Sequence, residues 1–590
     1  MAFRERRRLK KMIMMKRVRT ATTAVKDVKP KLFVRLCALL LSLALVSAMG
    51  TVKVKAHRET RPRARVLLIP LDDRPPCLQF VVMQGRIADA EVVAPPRDLL
   101  GRFTEPGQPE RIAAWVRAQD LRSFDAAVIS VDMLAYGGLV ASRVHRVPLE
   151  TARRRLELVR EIKLRAPQLP IYGFNVIMRL APTADGKNEA YREKLARWAE
   201  LASESSRDAK AAAEVERLER EIPKEALEDY KQARRRNLEI NRASIALVKD
   251  GVFEFLILSQ DDAKPRGVHV ADRESLIAEA RRLQLEDRVR VQPGADEVAM
   301  LLLSRALARR FDYHPRVHAI YSSEEKRLRV APYEDRPLHV TVSFQIAAAG
   351  AREVATAREA DLLFYVYASR DEPGAARAFA ERIARDVESG RRVIVADIDF
   401  GGAVQGAGEE FTEELRRRGV FPRLFGYASW NTAGNTIGTA LPQGILFALA
   451  VDRLATDSAA AERIARAQMK FLLHRLIDDY AYHSLVRVDV NRNIAPRFKL
   501  NTMRLDAQGT RIIEGIARAK MRPYVESLWR DFASNAFTLP KTDGVSLALI
   551  PRSIGNFTLT LPWGRTFEAE IDFDLHVAVE SKANEDQRAR

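Results

Sequence analysis

Two acidic residues in direct succession, Asp261 and Asp262, close the apolar run FEFLILSQDD, which reads as a buried strand. Successive side chains at a strand end point in different directions, so one carboxyl can face a reacting bond while its neighbour contacts another part of the same ligand. Such a pair is a candidate catalytic site, in which the charge of one carboxyl raises the pKa of the other. An adjacent acidic pair equally serves to cap a helix or to end a strand.

The pair recurs in kind along the chain. VLLIPLDDRP ends in Asp72, Asp73 and Arg74, AAVISVDMLAYGG carries Asp132 and Tyr136, and VRVQPGADE carries Asp296 and Glu297. VIVADIDFGG brings Asp397 and Asp399, and LFGYASWN brings Trp430 and Asn431. In a parallel α/β protein the carboxyl ends of the strands share one face, so distant residues converge on one cleft. The expected ligand-binding set is therefore Asp72, Arg74, Asp132, Tyr136, Arg143, Arg179, Asp296, Glu297, Asp397, Asp399, Trp430, Asn431 and Asn435, around the catalytic pair. Trp430 offers an apolar face to a sugar ring, and Asn431 and Asn435 offer hydrogen bonds to hydroxyls. Arg74, Arg143 and Arg179 bind a carboxylate or hold the acids in place. Tyr136-Gly137-Gly138 permits close backbone approach to a ligand, or forms a tight turn with Tyr136 packed on it.

Two other readings remain open. The many aspartates supply hard oxygen ligands for Mg²⁺ or Ca²⁺ in a metal-dependent hydrolase, and the same cleft suits a noncatalytic receptor for glycan or cell-wall fragments. No GxSxG, GxxxxGK[ST] or HExxH motif occurs. GAVQGAGEE (402–410) lacks the last glycine of a dinucleotide loop and reads as a strand-to-helix turn. His314 and His318 are separated by Pro315, which argues against a zinc-binding helix. No cofactor and no metal site is expected. Cys77 has only Cys37 as a companion, so a buried structural thiol is expected there.

The elements that must position these residues follow from periodicity. Strands are predicted at 65–71, 90–94, 126–132, 170–177, 253–259, 288–292, 317–321, 340–346, 361–368, 392–398 and 424–429. Amphipathic helices lie between many of them, which defines an α/β protein with mostly parallel sheets. A barrel-like or doubly wound first unit is expected over 65–330, with a helical excursion at 186–250 built from two long helices. Arg235, Arg236, Asn237 and Asn241 on that excursion either belong to an ordinary polar helix surface or border the cleft. A second α/β unit is expected over 331–455, then a helical region with a small antiparallel β appendage over 456–575 and a disordered tail over 576–590.

The charge is concentrated rather than spread. Residues 1–65 hold 19 Lys or Arg against three acids, so most of the net +20 lies there and the remaining body is nearly neutral, unlike a nucleic-acid-binding surface. That leader runs from a basic stretch through LCALLLSLALVSAM (36–49) to small residues, the order of a secretory signal. Its apolar run is shorter than the roughly 20 residues that span a bilayer. A signal peptide over 1–48, with an uncleaved signal anchor as the alternative, and a basic linker over 49–64 are expected, with an exported or cell-envelope body, no stable membrane span after cleavage, and a small-molecule or glycan substrate.

The Asp261-Asp262 arrangement is similar to that of substrate-assisted glycosidases acting on N-acetylhexosaminides, in which one acid orients the acetamido group and the next protonates the leaving oxygen. Those enzymes need no protein nucleophile, because the acetamide oxygen serves; the resemblance implies Asp262 as the acid, its pKa raised by its neighbour's charge, and Asp261 as the orienting carboxylate. The motif series as a whole resembles the bacterial family called domain of unknown function 4127: PLDDRPPC (70–77), APPRDLLG (94–101), SVDMLAYGGLVASR (130–143), SQDDAKPRG (259–267), PGADEVA (293–299), DIDFGGA (397–403) and YASWNTAGNTIGTALPQG (427–444). Cys77 stands where Asn is expected more often. The resemblance implies a family and no reaction, so chemistry rests on the residues.

Overall fold

Ten of the eleven predicted segments are strands, and they form two separate parallel sheets. The computed structural model describes residues 62–401, 405–534, 537–539 and 545–583. The leader, the linker as far as residue 61, residues 402–404 of the glycine-rich turn and residues 584–590 of the tail lie outside the described residues. The first sheet contains β1 (Ala64–Ile69), β2 (Ala90–Val93), β3 (Ala126–Ser130), β4 (Ile171–Ile177), β5 (Phe255–Gln260) and β6 (Val289–Pro293), in the order β2-β1-β3-β4-β5-β6. The second contains β7 (Arg316–Tyr321), β8 (Arg352–Glu353), β9 (Leu362–Tyr367), β10 (Val393–Asp397) and β11 (Gly426–Ala428), in the order β11-β10-β9-β7-β8.

Numbered from its own first strand, the second sheet reads 2-1-3-4-5, the same order as the first five strands of the first sheet. Both are doubly wound rather than closed, and in such sheets ligands bind outside the carboxyl ends where the strand order reverses. The central strands explain why the sequence chooses this. Every residue of β3, β4, β5, β9 and β10 is buried, as befits apolar runs covered by helices on both faces. β7 pairs with β9, so the second sheet begins at Arg316.

The exception among the predicted strands is 340–346. VTVSFQI is rich in β-branched residues, yet Leu338–Ala348 is a helix that starts directly after Pro337. Its buried residues Leu338, Thr341, Val342, Gln345 and Ile346 follow helical spacing. Packing of that stripe outweighs the weak local preference for strand.

The excursion also differs in detail from the expected pair of helices. It forms three, Arg192–Leu201, Ala209–Glu221 and Lys224–Lys249. Asp208 caps the second by accepting from the Lys210 N–H (2.9 Å), and Pro223 precedes the third. Arg236 and Asn237 donate to the Ser142 carbonyl (2.5 and 3.0 Å), and Asn241 donates to Asn175 (2.7 Å). Arg235 is solvent-exposed and pairs with Glu228. Arg236 and Asn237 thus brace the loop after β3 and Asn241 braces β4, and none of the four lines the cleft.

The segment Ala433–Leu454 is long and apolar enough to cross a membrane, but 83% of its most apolar window is buried in the protein core. After the helix Ala507–Ala533 the chain closes with an antiparallel sheet of β12 (Phe537–Leu539), β13 (Val545–Thr560) and β14 (Glu570–Ala583). β14 therefore continues through residues 576–583, which were expected in the tail.

Candidate functional site

The carboxyl ends of both sheets open on one cleft of about 270 Å³, near the lower end of the range for small-molecule pockets. The first sheet contributes Arg74 after β1, Arg143 after β3, Arg179 after β4, Asp261 and Asp262 after β5, and Asp296 after β6. The second contributes Glu334 between β7 and β8, and Asn431 and Asn435 after β11. Trp563 and Phe567, from the connection between β13 and β14, complete the wall.

Ion pairs dominate its chemistry. Arg74 forks between two carboxylates, donating to Asp72 (2.7 Å) and Asp296 (2.6 Å), with its guanidinium over the Trp563 ring (4.6 Å). Asp72 is buried behind Arg74 and stays out of the cleft, whereas Asp296 lines it. Burial raises the Asp296 carboxyl above the ordinary carboxylate range while Arg74 opposes the shift. Cys77 is a free, fully buried thiol close to the same guanidinium (3.9 Å).

The adjacent acids are held differently. Asp261 is nearly buried and accepts from Arg143 (2.5 Å), which also donates to Thr183 (2.7 Å). Asp262 pairs with Arg179, and a third of its side chain remains open to solvent (33%). Desolvation by the cleft wall raises the Asp262 carboxyl; Arg179 opposes that shift, and the Asp261 charge adds to it. Its backbone is strained as well, with φ at +30°. Tyr333 (φ +65°) and Asn431 (φ +56°) share the left-handed region and also line the cleft. Strained non-glycine residues of this kind persist only where the surroundings enforce them, and they gather at functional sites.

Other expected residues stay outside the cleft. Asp132 lies fully buried beneath it, accepting from Asn175 (3.0 Å) and the Val176 N–H (2.9 Å), and burial raises its pKa to about 6. Tyr136 is buried under Arg236, whose guanidinium sits 4.2 Å from the ring centre. The Gly137-Gly138 turn (φ +92° and +119°) packs on Gly107 and the Leu71 carbonyl, so its close approach is to the protein's own backbone. Asp397 accepts from Arg370 (2.9 Å), Ser429 (2.8 Å) and the Gly408 N–H (2.7 Å), and Asp399 accepts from the Gly401 N–H (2.6 Å). Trp430 donates to Thr439 (3.0 Å) and packs edge-on against Phe80, so the rings facing the cleft are Tyr333, Trp563 and Phe567.

Glu297 is fully buried, with one carboxyl oxygen accepting from the Ala295 N–H (3.0 Å) and the other from Gln345 (3.3 Å). Burial pushes its pKa up to about 8. The native state then binds a proton that the unfolded chain releases near pH 4.5, so stability falls between about pH 4.5 and 8, by up to about 1.4 kcal/mol per pH unit. Replacing Glu297 by Gln should flatten that slope in denaturant titrations run across the interval. An unchanged slope would locate the proton elsewhere.

Sequence reasoning missed Glu334. It is 3% exposed, accepts from the Gly434 N–H through one oxygen (2.8 Å) and leaves the other without a hydrogen-bond partner. Burial raises its pKa well above the ordinary carboxylate range. The signal was present, because YEDRP (333–337) echoes LDDRP (71–75) at the equivalent place, between the first and second strands of its sheet. Arg192, Trp563, Arg565 and Phe567 were also missed. Among the described residues no group of three His, Cys, Asp or Glu is arranged to hold a metal ion.

Fold and site together define a two-sheet, doubly wound α/β protein with an ion-paired cleft at its carboxyl edges. The chain belongs to the family described as "Protein of unknown function (DUF4127)", whose model it matches over residues 66–572. No curated protein matches it. Among solved structures it aligns with a pyruvate carboxylase of Rhizobium etli bound to acetyl coenzyme A at 11% identity and a TM-score of 0.17, covering 90% of this chain and 48% of that one. The carboxyl transferase domain of the same enzyme with pyruvate gives 11% identity and a TM-score of 0.13, covering 89% of each chain. At such TM-scores these likenesses carry no argument about fold or chemistry.

Proposed function

We propose that this protein is an exported hydrolase of carbohydrate, acting on N-acetylhexosaminides with Asp262 as general acid and Asp261 as the carboxylate that orients the acetamido group. The observation that carries the reading is the contrast within the pair. Both acids are ion-paired, Asp261 to Arg143 and Asp262 to Arg179, but Asp261 is buried, while Asp262 sits in a strained backbone, partly open to the cleft and with a raised pKa. A carboxyl tuned upward beside one held in place is the pattern that separates acid from orienting group. Asn431, Asn435 and Gln260 line the same cleft as the Trp563 ring, which suits a polyhydroxylated ring with one apolar face. The acetamide oxygen attacks the anomeric carbon as the glycosidic bond breaks, and Asp262 gives its proton to the leaving oxygen. Water, giving a proton back to the Asp262 carboxylate, then bonds to the anomeric carbon and breaks its bond to the acetamide oxygen. Export rests on the order of basic, apolar and small residues in the leader.

The test is release of the aryl group from chromogenic N-acetylhexosaminides by the purified body, residues 62–590. Turnover supports the proposal. Binding of these sugars without turnover would replace the hydrolase with a receptor.

A further inference from the structure

One wall of the cleft carries more positive charge than its own acids offset. Arg143, Arg179 and Arg192 all line it. Arg143 is paired with Asp261 and Arg179 with Asp262. Arg192 has no ion pair among the described residues, and its Nε donates to the Pro182 carbonyl (3.1 Å). Desolvation lowers the pKa of both Arg143 and Arg192, and the charge of Arg179 lowers each further. Crowded guanidinium groups of this kind are held together at a cost that a bound anion relieves. A second observation points the same way. Arg143, nine-tenths buried, keeps its Nε without any acceptor, and a buried donor left unpaired is destabilising.

We infer that the ligand of this cleft carries an oxyanion, a carboxylate or a phosphate, which Arg192 binds beside Arg143 and Arg179. The inference rests on the carbohydrate reading and narrows it to acidic amino sugars. An arginine fork meets either oxyanion through paired N–H donors, and such charge-assisted hydrogen bonds are about twice as strong as neutral ones. Arg192 begins the excursion's first helix, and its hydrogen bond to the Pro182 carbonyl in the loop after β4 holds it at the cleft wall.

Matched ligands separate the possibilities. N-acetylglucosamine, its 3-O-lactyl ether N-acetylmuramic acid, and its 6-phosphate share one ring and one acetamido group and differ in the anion. Calorimetric titration of the body, residues 62–590, should give at least tenfold tighter binding for one anionic sugar than for the neutral one, and which of the two wins tells carboxylate from phosphate. Arg192→Gln should erase the preference, and Arg192→Lys should keep part of it. The ratio of affinities is the readout, so a modest loss of stability in a variant leaves it interpretable. Equal affinity for neutral and acidic sugars, a preference that survives Arg192→Gln, or no binding of either anionic sugar at millimolar concentration would overturn the inference. None of these measurements involves turnover. A protein that prefers acidic sugars and cleaves none loses the hydrolase reading and keeps this one.

Discussion

Asp262→Asn should lower turnover of an N-acetylhexosaminide by a factor on the order of 10²–10⁴, the usual contribution of a general acid. Protonation of the leaving oxygen is the step that Asn cannot perform, and the substitution keeps the size of the side chain and a hydrogen bond to Arg179. Aryl glycosides with good leaving groups need little protonation. They should therefore recover much of the lost rate in Asp262→Asn. Asp261→Asn should lose activity on both kinds of substrate, because the acetamido group loses its orienting partner. This difference in rescue distinguishes an acid from a residue that only supports the loop. Both variants retaining full turnover would return the pair to a plain strand terminator and remove the proposed mechanism.

Arg74→Met should be the most destabilising single change in the site, costing about 3–5 kcal/mol. Arg74 is 6% exposed and bridges Asp72 and Asp296, which are 2% and 7% exposed. Removing the guanidinium leaves two buried carboxylates facing each other with nothing between them. Urea denaturation should show the midpoint moving sharply down. Adding Asp72→Asn and Asp296→Asn to the same chain should restore part of the loss, since two neutral amides tolerate that proximity. If Arg74→Met instead unfolds at the native midpoint, the bridge contributes little and its role lies with the ligand.

Much of the fold was legible because buried parallel strands announce themselves. FLILSQ and VIVAD are apolar on both faces, so any reading places them in the centre of a sheet. The segment VTVSFQI was misread because β-branched composition and helical spacing pointed in opposite directions, and packing decided. In the site, the polar residues at strand ends were visible, but their final surroundings were not. Asp132 and Glu297 look like Asp261 in sequence, yet they sit one layer below the surface of the cleft, where they fasten backbone and neighbouring amides. Trp430 looked like a sugar platform and turned inward to Phe80 and Thr439. The ring that faces the cleft, Trp563, comes from a β connection whose sequence gives no hint of where it folds back. Glu334 could have been found by setting YEDRP beside LDDRP, a comparison that strand order justifies only after the two sheets are known to match.

The origin of Trp563, Arg565 and Phe567 gives the molecule an order of completion. The two sheets and their acids are all encoded before residue 436, but part of the cleft wall arrives only with the connection between β13 and β14. Trp563 lies over Arg74 and donates to Asp73 (2.6 Å), tying the last part of the chain to the first strand of the first sheet. A polypeptide emerging from a ribosome or a translocation pore therefore has its charged residues long before it has a finished binding surface. The cleft wall is thus a property of both ends of the chain, completed by the final fold-back rather than by either sheet alone.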